Sequence, residues 1–65
     1  MTKHDKAVII DHVICAFMTI KSISMSGAID KLCMDGVSKM VTLADTERVQ
    51  KDLDEVRKRR IDPTN

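Results

Sequence analysis

Apolar residues crowd the stretch from Ala7 to Ile23, with few polar interruptions. Wound at about 3.6 residues per turn, this stretch gathers Ile9, Ala16, Ile20, Val13, Phe17, Ile10, Ile14 and Met18 into one arc of roughly two hundred degrees, whereas an ordinary surface helix shows a stripe of about 100 degrees. Asp11, His12, Cys15, Thr19 and Ser22 form the polar remainder. Thr2 followed by Asp5 has the form of a capping box, and an acidic side chain is favoured in a helix's positive first turn. A first helix is therefore expected over about 3–23.

The run Ser22, Ile23, Ser24, Met25, Ser26, Gly27 concentrates residues that offer the backbone alternative hydrogen bonds or extra freedom, and it reads as an interhelical turn. Beyond it, Ile29, Leu32, Cys33, Val37 and Met40 recur at three- and four-residue spacing, opposite Lys31, Asp35, Ser38 and Lys39. The spacing predicts a second core-facing helix over about 26–41. Gly36, in its middle, is either a close-packing point in one continuous helix or a left-handed cap ending a short one, and the continuous helix is the favoured reading.

Thr42 marks the next expected boundary. Asp45, Thr46 and Glu47 suit a helix N-terminus, and the cations from Arg57 to Arg60 suit a C-terminus, so a third helix is expected over about 43–60. Its apolar residues Val49, Leu53 and Val56 form a narrow seam of coiled-coil type, with Glu47 to Lys51, Asp54 to Lys58 and Glu55 to Arg59 as favourable four-residue pairs. Pro63 cannot continue the helix, so the reading is a single helical domain over 1–61 with a frayed tail over 62–65.

One thin seam on the third helix cannot cover the broad arc of the first and the apolar face of the second. Surplus apolar surface of this kind usually marks association, which makes a homodimer or higher oligomer the expectation, centred on Ile9, Val13, Phe17 and Ile20. Chain length strengthens this point. A chain of 65 residues buries only about 60% of the surface its unfolded form exposes, and a core of that size seldom supplies more than ~3–5 kcal/mol without a disulfide, a metal or a partner.

The two cysteines, Cys15 and Cys33, sit among apolar neighbours in expected helices and read as small buried hydrophobes rather than a bridge. No signal peptide is read at the N-terminus, and the longest uninterrupted apolar run, Val13 to Met18, falls far short of the ~20 residues of a membrane span. A cytoplasmic protein without membrane contact is expected. The formal net charge of +1 with 32% charged residues lacks the basic excess that dominates many small nucleic-acid binders.

Chemical signatures are sparse. His12 and Cys15 lie one turn apart, with His4 and Cys33 as distant additions, but zinc sites present paired ligands in two clusters, so no metal is assigned. Gly27 and Gly36 make no phosphate cradle, and no base accompanies a nucleophile around a glycine-rich loop. Asp52, Asp54 and Glu55 lie on a solvated helix beside arginines, which suits surface pairing better than acid catalysis. The chain reads as a non-enzyme with no catalytic residues and no cofactor.

Two short stretches resemble DNA-binding elements. Gly36, Val37 and Ser38 resemble the turn of a helix-turn-helix, although Leu32 stands where a small residue is expected and Thr42 where a β-branched apolar one is. Thr46, Val49, Asp52 and Leu53 resemble the T-x-x-V-x-x-D-L pattern of some winged-helix domains, which would make 46–56 a recognition helix. Winged helices carry a β-hairpin after that helix, and only a few residues follow here. The absence of Trp and Tyr argues against single-strand stacking.

Met18, Met25, Met34 and Met40 are flexible, polarizable residues of the sort used at repacking protein surfaces. The resulting expectation is a small all-α oligomer, a regulator or inhibitor that binds another protein. Arg48, Lys51, Arg57, Lys58, Arg59 and Arg60 are its expected contact residues. The alternative is a dimeric helix-turn-helix regulator in which the same residues contact nucleic acid.

Overall fold

The computed structural model of the chain describes residues 1–61, with side chains through Arg60. Three helices run in order, α1 (Lys3–Ile23), α2 (Gly27–Thr46) and α3 (Gln50–Ile61), and the described residues contain no strand. The expected tail over 62–65 lies outside the described residues.

The start of α1 is the capping box itself: the Asp5 N–H donates to Thr2 Oγ1 at 3.1 Å and the Thr2 N–H to Asp5 Oδ2 at 3.5 Å. Two orphan donors of the first turn are thereby satisfied. At the other end, Ser24 turns extended while its N–H still reaches Ile20 O. Ser26 then caps α2, accepting from the Ile29 N–H at 3.4 Å. Such a short serine turn brings α2 back antiparallel along α1. Lys6 meets Glu47, Ile10 and Leu43 share a groove, and Phe17 meets Gly36.

Gly36 does not break α2. A Cβ there would stand 2.7 Å from Cε2 and Cζ of the Phe17 ring, so the missing side chain is what lets the ring lie across the helix. Continuous α2 also means that Gly36, Val37 and Ser38 form no helix-turn-helix turn, because all three are interior helical residues.

The α2–α3 boundary departs from the sequence expectation by several residues. Apolar positions keep helical phase through Cys33, Val37, Met40 and the fully buried Ala44, so α2 runs on to Thr46 instead of stopping near 41. The Thr42 hydroxyl, read as a boundary, donates back to Ser38 O at 3.1 Å inside the helix. The chain turns at Glu47, Arg48 and Val49, with Arg48 left-handed at φ 59°. The Arg48 N–H donates to Asp45 O and the Val49 N–H to Ala44 O, the two crossed bonds of a Schellman cap. Val49 and Ala44, both fully buried, supply the cap's apolar contact. Val49 O then accepts from the Leu53 N–H at 2.8 Å and opens α3.

An arginine in that cap stands in a conformation that costs a residue with a Cβ about 1 kcal/mol or more, and glycine is free of the cost. Arg48→Gly is therefore expected to raise the urea midpoint, with a net gain of about 0.5 kcal/mol after glycine's extra unfolded-state entropy. A lowered midpoint would mean that the Arg48 side chain makes a stabilising contact of its own.

The core gathers Ala7, Ile10, Ile14, Ala44, Val49 and Leu53, with Val37, Met40 and Val56 packed against it. It sits where the first half of α1 meets the end of α2 and the start of α3. Helix α1 is central, and α2 and α3 touch each other little.

Candidate interaction surfaces

Asp11 falls on the polar side of α1, yet it is 4% exposed. Its oxygens accept from both Arg60 Nε at 3.0 Å and Arg60 Nη2 at 3.3 Å. This fork satisfies both carboxylate oxygens at once and is the strong form of the arginine–carboxylate pair. The consequence is positional: α3 is fastened to the polar edge of α1 and not laid over its apolar arc. The hydrogen bonds from Arg60 to Asp11, outweighing partial desolvation of the guanidinium, raise the Arg60 pKa above its usual range. A raised folded-state pKa contributes stability below the unfolded value and loses it as pH rises through the folded one, so the Arg60 contribution is constant through neutral pH and fades in strong alkali.

At the start of α1, Lys6 Nζ donates to Glu47 Oε1 at 2.6 Å. Glu47, expected to pair with Lys51 along one helix, instead belongs to the C-terminal cap of α2 and turns to α1. An acid at a helix C-terminus faces the negative end of the dipole, and the lysine offsets it.

With α3 fastened on one side, the opposite side of the α1/α2 hairpin is open. Ile9, Ala16, Ile20 and Ile23 of α1 are exposed there, with Ile23 75% accessible, and Val13 is half-buried beside them. On the facing flank of α2, Leu32 is 66% exposed, accompanied by Ile29 and Leu43. Ile9 and Leu43 line one groove of about 190 Å³ with Met1, Lys6, Ile10 and Glu47. Of the four residues expected at the self-association centre, Ile9, Val13 and Ile20 lie along this face. Phe17 turns toward α2, half-buried against Gly36.

A second apolar patch lies on the α3 side. Met18 is seven residues from Asp11 and so on the same face of α1, but α3 ends at the level of Asp11 and leaves Met18 47% exposed. Met34 and Val41, about 200° around α2 from Leu32 and Leu43, are exposed on this side too.

The cations proposed for contact are scattered. Arg48 sits in the turn, Lys51, Lys58 and Arg59 are exposed, Arg57 is half-buried, and Arg60 is committed to Asp11. On the outer face of α3, Lys51 and Lys58 flank Asp54 and Glu55, so the face mixes both signs. The winged-helix resemblance dissolves as well: Thr46 ends α2, Val49 lies in the turn, and only Asp52 and Leu53 belong to α3.

His4 and His12 are exposed, and both cysteines are free, Cys15 half-buried beside Asp11 and Cys33 buried on α2. Among the described residues no three His, Cys, Asp or Glu side chains converge as a metal site would require, and no helix is long and apolar enough to cross a membrane. The chain matches no known family model, no curated protein sequence and no solved structure.

Proposed function

We propose that this chain is a small non-enzymatic regulator or inhibitor that acts by protein–protein binding through helical surfaces, as a homodimer or higher oligomer. One observation carries the reading. Among the described residues, twelve large hydrophobic side chains are at least 40% exposed, whereas the buried apolar set numbers seven and includes two alanines and a cysteine. Apolar surface in that proportion needs macromolecular cover.

The outward partner would dock on Met18 and Met34 beside the cations of α3, and it would offer an acidic helix with an apolar stripe. A cytoplasmic location belongs to the same proposal, supported by two cysteines that stay free.

A DNA-binding regulator is the second reading, favoured by one detail of the observed turn. Small, buried Ala44 stands four residues before left-handed Arg48, the spacing at which helix-turn-helix elements cross. Against it, Asp54 and Glu55 between Lys51 and Lys58 interrupt any continuous basic face on α3 toward phosphates. Titration with mixed-sequence duplex at low and moderate salt separates the two. No complex is expected even at low salt, and a complex with a steep salt slope would overturn the protein-binding reading.

A further inference from the structure

We infer that the open face of the α1/α2 hairpin is the seam between two copies of this chain, which pack hairpin on hairpin as a four-helix bundle with Ala16 at the two-fold axis. This deepens the protein-binding reading and rests on it. Ile9, Val13, Ala16, Ile20 and Ile23 follow one another at intervals of four, three, four and three, the repeat that keeps a helical seam facing a partner helix along its length.

The ends of the series lie seven residues either side of Ala16. Laid antiparallel on itself about that residue, it sets Ile9 against Ile23 and Ala16 against Ala16, with Val13 and Ile20 facing each other one residue, about 1.5 Å, out of level. Bulky pairs then flank a small central pair that lets the helices approach. A two-fold contact needs such self-complementarity, because each patch must meet its own copy.

Along α1 no free charge opposes the pairing. Between Ile9 and Ile23 the charged residues are Asp11, committed to Arg60, and Lys21, half-buried and seven residues from buried Ile14, hence on the inner side. On the α2 flank the charges beside the seam are paired within one chain: Lys39, between Leu32 and Leu43 in helical phase, meets Asp35 at 3.1 Å, and Lys6 meets Glu47 at the rim of the Ile9 and Leu43 groove.

Size agrees. Helices α1 and α2 have 21 and 20 residues, so each spans about 30 Å, and side by side they make a face roughly 20 Å wide. With the relief of its ridges, that footprint approaches the ~800 Å² that each partner contributes to a standard stable interface. Among the described residues the core behind the face is small, and its largest fully buried side chains are Val49 and Leu53. The face therefore needs cover whenever the chain folds, and a second copy is always at hand.

Sedimentation equilibrium of the full chain at micromolar concentration tests this. Wild type should run at twice the chain mass and Ile20→Asp at the chain mass, while Met18→Asp, the same charge on the α3 side, should stay at twice the mass. Should Ile20→Asp lose its helicity, Ala16→Cys decides instead: it should cross-link to itself on oxidation, and Ser22→Cys should not. A folded wild-type monomer overturns the inference, as does a dimer that Ile20→Asp leaves intact or one in which Ala16→Cys fails to cross-link. A monomer that binds no duplex would remove the self-pairing, and with it the oligomeric part of the proposed function, while its binding of another protein would stand; duplex binding by a dimer would keep the self-pairing and remove the protein-binding reading.

Discussion

Leu53→Ala is expected to abolish the cooperative thermal transition at low micromolar concentration. Leu53 is 2% exposed and is the largest fully buried side chain among the described residues. It joins α3 to the cluster of Ala7, Ile10, Ile14, Ala44 and Val49. Truncating such a leucine costs about 2–5 kcal/mol, because the lost transfer energy is joined by the cost of an unfilled cavity. A single core in a chain this short supplies only ~3–5 kcal/mol, so the change removes most of the available stability. Circular dichroism melts at several protein concentrations are the measurement. If a partner copy contributes to the folded state, the midpoint of the wild type rises with concentration. A Leu53→Ala variant within about 1 kcal/mol of wild type would show that the seam of α3 is peripheral to folding.

Arg60→Ala has the next largest expected effect. It leaves the Asp11 carboxylate in place, 4% exposed, without either of its guanidinium donors. Removing one member of a fully buried pair costs about 3–5 kcal/mol. Here the Arg60 side chain is 46% exposed, so water can replace part of what is lost, and about 2 kcal/mol is the expected loss. Arg60→Lys should recover only part of it, since an ammonium cannot engage both carboxylate oxygens as the planar fork does. The double variant Asp11→Leu with Arg60→Met should return close to wild-type stability, because apolar replacement removes the desolvation cost together with the attraction. Urea denaturation of the four proteins tests the scheme, and an Arg60→Ala midpoint equal to wild type would refute it.

How far the sequence carried depended on how local each determinant was. The limits of α1 were legible because Thr2 and Asp5 cap it three residues apart and the serines that end it are adjacent. Continuity of α2 through Gly36 was legible as a preference, and its cause lies across the hairpin in Phe17. The end of α2 was not legible. Its left-handed cap is built on arginine where glycine would have announced it, and Asp45 and Glu47 sit at the helix end that the dipole disfavours. Glu47 is offset by Lys6, 41 residues away, which no local pattern could reveal.

The same reasoning separates the surface residues. A broad apolar arc told that α1 has surplus surface, and Ile9 and Ile20 are indeed exposed. It did not tell which half turns inward, so Phe17 was grouped with residues on the other side of the helix. Asp11 looked solvated because its partner lies 49 residues on, and Arg60 looked available for the same reason.

The way α3 is attached has a kinetic consequence. Its apolar seam closes near Val49 and Leu53, its far end hangs on one half-solvated fork, and it gains little from α2. Breaking that fork frees the last turns of α3 while the α1/α2 hairpin stays whole. The chain thus contains units of unequal permanence, and amide protons of α3 should exchange through brief local openings that leave those of the hairpin protected. A partner drawn to the cations of α3 would then meet a segment able to adjust its angle, carried on a base that does not move.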